Sequence, residues 1–392
     1  MPDTPKRIVV VGGGLAGAKA VEALRANNYA GTLTLVSDEP DLPYERPPLS
    51  KDYLQGKVEF AKAVVHPAEW YQSHDVDLRR STAVMSIDRE RNQVQLADGD
   101  VLVYDKLLLA TGAIPRRLSV PGGDAAFYLR SHHDSDVLKS SFSDGKRVVI
   151  IGAGWIGLEV AAAARNAGCA VTVVESADLH REHDVDLRLG ARLNEVLVNE
   201  DGVARGVRLD DEELEADVVI AGIGVEPEDS LARMADLTVD NGIVVDASLR
   251  TSDHDIYAAG DVANHAHPLL RRQIRVEHWA NALNQPAIAA AAMLGDRDAK
   301  YENLPYFFSD QYDLGMEYVG YAPKDEYAKV VVRGDKDKRE FVAFWLDEEN
   351  HVLAAMNVNV WDVVDAIKPI IARRKVVDPD GLADPSVAYA DL

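Results

Sequence analysis

Cysteine is almost absent from this sequence of 392 residues, which contains only Cys169. A single thiol excludes a disulfide within the chain, a CxxC redox pair and a metal site built from cysteines. Low cysteine use is typical of a reducing compartment, so we expect a cytoplasmic protein. His132, His133, His265 and His267 lack carboxylates at metal-ligand spacing, and we therefore expect no metal site.

Positive charge and long apolar runs are also scarce. Lys and Arg number 42 against 65 Asp and Glu, which gives a formal net charge of −23 at pH 7. We expect no nucleic-acid partner, because neutralising phosphates requires a basic face. No apolar run reaches the ~18 residues that span a bilayer. Residues 1–7 lead directly into a strand pattern, so we expect neither a membrane segment nor a signal peptide.

A long internal repeat is the main feature that is present. Each copy has a Lys-Arg pair, a β-branched strand and a GxGxxG motif that opens a helix. The glycines are Gly12, Gly14 and Gly17 in the first copy and Gly152, Gly154 and Gly157 in the second. A second strand follows each helix, at 32–36 and 170–174, and runs into acidic residues. Strand, glycine turn, helix and a later acid form the dinucleotide-binding fingerprint.

The glycine spacing has a physical explanation. The first glycine permits a tight turn, the second lets the backbone approach a pyrophosphate, and the third lets the helix pack closely on the strand. The pyrophosphate then lies at the positive end of the helix, among N–H groups without helical partners. The alternative is that the glycines serve only the packing of the turn. That explanation is easier to accept for one copy of the motif than for both.

Two further strand ends indicate where the chain passes between the nucleotide-binding units. Residues 106–112 form an apolar strand that ends in Ala-Thr-Gly, and residues 256–261 end in Gly-Asp. The order predicts an α/β protein with two Rossmann-like domains, one inserted in the other. A small C-terminal α+β domain should follow, with a hairpin at 328–346, a strand at 351–358 and a helix at 361–372.

Three short motifs give the chain a specific family resemblance. They are Pro43–Lys51 (PYERPPLSK), Gly157-Leu158-Glu159 and Phe308–Tyr312 (FSDQY). With the two glycine motifs and the ATG and GD turns, they resemble the NADH-dependent ferredoxin reductases. That family is a branch of the FAD-dependent pyridine nucleotide oxidoreductases and serves oxygenase systems. The resemblance covers nearly the whole chain.

The resemblance implies a domain plan and an activity. The FAD-binding domain would comprise 1–113 and 245–320, the NADH-binding domain 114–244, and the C-terminal domain 321–392. The enzyme would be an NADH:ferredoxin oxidoreductase that uses FAD to pass electrons from NADH to a [2Fe-2S] ferredoxin, as a monomer or homodimer. Two alternatives stay open: an NADH oxidase or quinone reductase, and a flavoprotein with mainly an interaction role, like the apoptosis-inducing factors.

The matching motifs suggest cofactor-binding positions residue by residue. On the FAD side they are Gly12, Gly14, Leu15, Ala16, Gly17, Asp38, Glu39, Arg46, Lys51, Val84, Ala110, Thr111, Gly112, Arg130, Gly260, Asp261, Glu277, His278 and Trp279. On the NADH side they are Gly152, Gly154, Trp155, Ile156, Gly157, Glu159, Glu175, Gly222, Ile223 and Gly224. After Glu175 the chain is shorter than the family pattern, a departure that bears on the adenosine end of the NADH site and not on the flavin.

Glu175 follows the second strand of the second repeat. A carboxylate there accepts hydrogen bonds from the adenine ribose and repels a 2′-phosphate, since like charges at close range cost about 4 kcal/mol at an effective dielectric of 20. This favours NADH over NADPH. The alternative is an exposed acid that closes a strand.

Lys51 and Glu159 are the catalytic candidates, because the resemblance brings both to the reacting edge of the flavin. A lysine there favours the extra negative charge of a reduced flavin. Glu159 would pair with Lys51 and orient the nicotinamide amide. The alternative is a loop lysine and a helix-surface glutamate that never meet.

Other candidates also have two interpretations. Asp261 accepts a ribityl hydroxyl or caps the following segment, and Arg46 and Arg130 reach the cofactor or form surface salt bridges. A helix predicted over 277–293 would point its positive end at the flavin. Trp279 packs either near the isoalloxazine or within the core.

The missing cysteines shape the expected electron path. None lies between Leu42 and Lys51, where disulfide reductases of this superfamily need one. Electrons must then leave the flavin directly for an external carrier, which suits a flavin because it accepts two electrons and releases them singly. Such carriers are usually acidic, so basic clusters are docking candidates. These are Arg271, Arg272 and Arg275, and Arg373, Arg374 and Lys375.

Overall fold

The computed structural model describes residues 4–174, 185–188, 190–210 and 212–392. Glu175, a predicted NADH contact, lies outside the described residues. Within these ranges, no helix is both long enough and apolar enough to cross a membrane.

The first repeat builds a parallel sheet around a buried central strand. Residues Ile8–Val11 are at most 5% exposed, which explains why the strand is apolar at every position instead of alternating. Gly14 precedes the helix that follows, and Asn27 ends it. The elements in this part of the chain are β1 (Arg7–Val11), α1 (Leu15–Ala26), β2 (Thr32–Val36), α2 (Ala68–Ser73), β3 (Val76–Arg79), β4 (Val84–Asp88), β5 (Gln93–Leu96), β6 (Val101–Val103), β7 (Lys106–Leu109) and β8 (Ala113–Pro115).

The second repeat builds a second parallel sheet in the order β11-β10-β9-β15, with its helix packed on it. Residues 160–164 of that helix, Val and four Ala, are buried, and such small side chains let it lie close to the sheet. The elements here are α3 (His132–Ser141), β9 (Arg147–Ile151), α4 (Trp155–Asn166), β10 (Ala170–Val174), β11 (Asp186–Arg188), β12 (Glu195–Val198), β13 (Ala204–Arg208), β14 (Glu213–Glu215), β15 (Val218–Ala221), β16 (Val225–Pro227) and α5 (Ser230–Met234).

The chain then returns to the first sheet. The next elements are β17 (Ile243–Val245), β18 (Ile256–Ala258), β19 (Ala263–His267), β20 (Arg272–Ile274) and α6 (Trp279–Met293). Strand β18 pairs in parallel with β7, which completes the order β18-β7-β1-β2-β3. Helix α6 packs against α1 and begins at Trp279 instead of the predicted Glu277, because His278 at its N-cap has an extended backbone. The second unit is therefore inserted into the first, which confirms the predicted α/β class.

The C-terminal part is an antiparallel sheet in the order β21-β22-β25-β24-β23, covered on one face by a helix. Its elements are β21 (Tyr306–Gln311), β22 (Leu314–Gly320), β23 (Lys329–Asp335), β24 (Glu340–Leu346), β25 (Val352–Val358), α7 (Val364–Arg373) and α8 (Pro379–Ala383). The helix predicted from Trp361 begins only at Val364. Asp362, the second residue of the predicted helix, has a left-handed φ angle of 62°, which a right-handed helix disfavours.

Candidate functional site

A cleft of about 1060 Å³ lies where the two parallel sheets and the C-terminal sheet meet. Both glycine turns open onto it, one after β1 and the other after β9. The carboxyl ends of parallel strands are where open α/β sheets bind ligands. Phe307 and Phe308 of β21 add a wall from the C-terminal sheet. All three folded units therefore contribute to one site.

The glycines of the first turn serve two different purposes. Gly12 has a φ of +116°, and a Cβ there would lie 2.2 Å from the Ala110 carbonyl oxygen. A Cβ on Gly17 would lie 2.0 Å from the Gly12 oxygen. The packing of the protein itself therefore requires both glycines. A Cβ on Gly14 would meet no atom of the described residues within 4 Å, and its φ of −82° is open to any residue. A missing side chain at Gly14 leaves room in the cleft, as an approaching pyrophosphate requires.

The second turn repeats this pattern. A Cβ on Gly152 would lie 2.5 Å from the Gly222 oxygen, and one on Gly157 would lie 2.3 Å from the Gly152 oxygen. The middle glycine, Gly154, is again free, because its nearest neighbour would be 3.7 Å away. Each turn therefore fits a dinucleotide at the N-terminus of the helix that follows it.

Two arginines stand beside the first turn. Arg46 donates to the Arg130 carbonyl oxygen at 2.6 Å and pairs with Glu39 at 2.7 Å. Arg130 lies 3.4 Å from an Asp261 carboxylate oxygen. Burial lowers the pKa of Arg130 below its usual value, and the positive charge of Arg46 lowers it further. Two guanidinium groups beside this turn suit an anionic ligand, and each also forms a salt bridge to an acid of the cleft. That they reach a cofactor stays a prediction.

The structure brings Lys51 and Glu159 into contact. Lys51 Nζ lies 2.6 Å from Glu159 Oε1, and the two side chains are only 15% and 5% exposed. Ser50, which ends the short 3-10 turn Pro47–Ser50, donates to Glu159 Oε2 at 2.6 Å. Ser309 of β21 donates to Oε1 at 2.7 Å. The carboxylate is thus held from the first repeat, from its own helix α4 and from the C-terminal sheet.

Aromatic side chains close the cleft beside this pair. Trp279 Nε1 donates to Glu45 Oε2 at 2.8 Å, and the indole meets Phe308 edge-on at 6.1 Å between ring centroids. The Lys51 ammonium lies 5.3 Å from the Phe308 ring centroid. Burial lowers the pKa of His278, which caps helix α6, to about 4. That histidine is therefore neutral near pH 7, and the N-terminus of α6 supplies only its dipole.

Most of the predicted cofactor residues line the cleft. Gly17, Gly152 and Ile223 do not line it, and that they contact a cofactor stays a prediction. The two glycines are required by helix packing, and the Ile223 side chain is 36% exposed outside the cleft lining. Thr111 lines the cleft, but its hydroxyl donates to the Glu228 carbonyl oxygen at 2.6 Å.

One of the predicted docking arginines lies in the interior. The Arg275 side chain is only 5% exposed and pairs with Glu277 at 2.7 Å. It cannot meet a protein partner, since its guanidinium also donates to the Asp261 carbonyl oxygen. Arg272 pairs with Glu326. Of the first basic cluster, Arg271 and Arg272 are exposed, and Arg272 is already engaged with Glu326.

Several cleft residues were not predicted. Ser50 and Ser309 hold Glu159, and a motif contained each of them without indicating its partner. Ile114, Met85 and Met234 line the cleft and are 41%, 55% and 62% exposed. They come from separate elements, so no pattern along the sequence relates them.

Comparisons with known proteins agree with this geometry. Residues 6–286 match the family model described as pyridine nucleotide-disulphide oxidoreductase, and residues 306–392 match the reductase C-terminal model. The chain is 41% identical to the ferredoxin–NAD(+) reductase component of the anthranilate 1,2-dioxygenase system of Burkholderia cepacia, over 97% of each chain. It is 37% identical to putidaredoxin reductase of Pseudomonas putida, over 98% of this chain and 96% of that one. Its fold matches the reductase in the covalent putidaredoxin reductase–putidaredoxin complex with a TM-score of 0.94 and 37% identity, over 99% and 98% of the two chains.

Proposed function

Because the chain belongs to the pyridine nucleotide-disulphide oxidoreductase family and carries its reductase C-terminal domain, we propose that it is an FAD-dependent NADH:ferredoxin reductase serving an oxygenase system. The relatives that it matches over nearly their whole length are reductase components with ferredoxin-type partners, which supports that acceptor. One observation carries the proposal. Two dinucleotide cradles open onto the same cleft, and the Lys51–Glu159 pair lies in the wall of that cleft.

The chain's own residues bind and orient the two cofactors. The N–H groups at the start of α1, together with Arg46 and Arg130, would hold the FAD pyrophosphate, and those at the start of α4 would hold the NADH pyrophosphate. When bound, FAD supplies the ability to accept two electrons and release them singly. Lys51 places a positive charge at the wall of the cleft, and Glu159 holds the Lys51 ammonium in position. Phe308 and Trp279 exclude water from that region.

The single cysteine supports direct release of electrons to a carrier. Cys169 is buried in the core of the second unit, far along the chain from the PYERPPLSK motif. Burial raises the pKa of its thiol, so the reactive thiolate is disfavoured. The carrier that we propose is a [2Fe-2S] ferredoxin in the cytoplasm. NADH is the proposed donor, since Glu175 in the sequence would repel a 2′-phosphate.

The proposal is tested with purified protein and three electron acceptors. We expect a yellow protein that bleaches when NADH is added without oxygen and that is reoxidised much faster by a [2Fe-2S] ferredoxin than by quinone or oxygen. Fast reoxidation by quinone or oxygen would favour the oxidase or quinone reductase alternative. Slow reoxidation by every acceptor, with a long-lived flavin–NAD complex, would favour an interaction role.

A further inference from the structure

We infer that Ser309 is a positioning residue for Glu159, so that the C-terminal sheet completes the Lys51–Glu159 pair. This inference rests on the proposed function, because it concerns how the pair meets the nicotinamide. It gives the C-terminal unit a role in the reduction of the flavin by NADH, in addition to any role in binding the electron carrier.

The carboxylate of Glu159 needs more than Lys51 to fix its plane. The terminal torsion of a glutamate is broad, and a single partner on one oxygen leaves it free to rotate. Ser309 and Ser50 donate to different oxygens, Oε1 and Oε2, at 2.7 and 2.6 Å. Donors on both oxygens hold the plane at one angle.

The same hydrogen bonds determine which acceptor positions of the carboxylate the protein itself uses. An ionised carboxylate offers about four acceptor positions. On Oε1, Lys51 and Ser309 occupy two of them, and on Oε2 Ser50 occupies one. Among the described residues, no donor takes the second position on Oε2, and Glu159 lines the cleft, so we infer that this position accepts from a molecule bound there, such as the amide of a nicotinamide. Its direction is set by the plane of the carboxylate.

Ser309 is itself held in place. Its side chain has no exposed surface, and strand β21 pairs it with Met316 of β22. Gln311 Nε2 donates to the Ser309 Oγ at 3.3 Å. Since the hydroxyl accepts from Gln311, its own proton is directed at Glu159. Sheet register and this amide therefore aim the serine at the carboxylate.

The test compares Ser309→Ala with two matched variants. Ser309→Thr keeps the hydroxyl, and Ser386→Ala removes an exposed hydroxyl of the same domain that donates to Asp384. At saturating NADH, we expect S309A to slow anaerobic flavin bleaching about tenfold, the order expected from losing one hydrogen bond to a charged group. S309T should restore most of the rate, and S386A should match the wild type.

A binding measurement and a second background complete the test. By calorimetry, oxidised S309A should bind NAD⁺ more weakly than S386A, with equal flavin content and melting temperature. In a Glu159→Ala background, S309A should change neither the rate nor the affinity. Equal rates in S309A and S386A, or an undiminished effect in that background, would overturn the inference. A wild-type protein that holds no flavin, or does not bleach with NADH, would instead overturn the proposed function.

Discussion

The two nucleotide cradles share one sequence motif but differ in what surrounds them. Arg46 and Arg130 flank the first, each paired with an acid of the cleft. The second is edged by Trp155 and Ile156, whose side chains are both 46% exposed. Charge-assisted contacts in a partly closed site hold a ligand tightly, whereas exposed apolar contacts favour exchange. Under the proposed function, one motif would serve both a resident cofactor and an exchanging substrate, and the residues around each cradle would set the difference.

The largest expected effect comes from filling each cradle in turn. Gly14→Val should abolish flavin retention. Gly154→Val should leave the flavin in place but weaken NADH binding at least a hundredfold, roughly the loss expected when a pyrophosphate can no longer reach the backbone. Both sites have space for a Cβ in the protein alone, so the melting temperature of the flavin-free protein should barely change. Flavin content and NADH titration measure the outcome. The comparison fails if both variants lose the same ligand.

Glu159→Gln tests the point where the two cradles meet. The change leaves the buried Lys51 ammonium without its counter-charge, so we expect flavin bleaching by NADH to slow by roughly 10²-fold, on the order of losing one preorganised charged contact. Flavin content should stay near one per chain. Stopped-flow absorbance gives the rate, with Glu226→Gln, on exposed strand β16, as the control. An unchanged rate of flavin bleaching would show that the Lys51–Glu159 pair does not assist the reduction by NADH.

Two smaller effects should distinguish the residues that surround the first cradle from those that surround the second. Arg130→Ala should speed flavin dissociation about tenfold, which is the order of one hydrogen bond to a charged group, with little change in the KM for NADH. Trp155→Ala should instead raise that KM only a few-fold, because the indole is half exposed. Flavin fluorescence on release and steady-state kinetics report the two quantities. If W155A released flavin and R130A raised the KM, the assignment of the cradles would be reversed.

The smallest effect is a pH dependence on the flavin side. Burial, with a smaller contribution from the charge of neighbouring His267, lowers the pKa of His265 from 6.5 to about 4. A histidine with a depressed folded pKa binds its proton more readily when unfolded, so the stability of the folded protein falls as the pH drops from about 6.5 towards 4 and is constant above that window. We expect His265→Gln to flatten this part of the stability curve, measured by urea unfolding. An equally steep curve would place the acid sensitivity elsewhere.

Local sequence patterns predicted the cradles well because their causes are local. The positive φ at Gly12 and the close helix packing at Gly17 are set by a few adjacent residues. Strand and helix follow from buried runs on either side of them. The insertion could be predicted because each crossing is marked by a tight turn at a strand end.

Contacts between units were harder to predict because they depend on how separate sheets come together. Ser309 meets Glu159 only after three units assemble, and the resemblance indicated the FSDQY motif without indicating this bond. The sequence suggested Arg275 as an exposed docking residue, but its ion pair with Glu277 and its hydrogen bond to the Asp261 carbonyl oxygen hold the side chain inside the protein. The predicted start of α7 was three residues too early because the helical spacing continues through Asp362, whose backbone is left-handed.

The pairing of β18 with β7 has a consequence for the order in which the units fold during synthesis. The first sheet lacks an edge strand until Ala258 has left the ribosome, whereas the sheet of the inserted unit has all its strands by Ala221. Domains fold as units while the chain emerges at about 5–20 residues per second. The inserted unit can therefore fold first. Once folded, it holds the two segments of the first unit, which precede and follow it in the chain, close to each other.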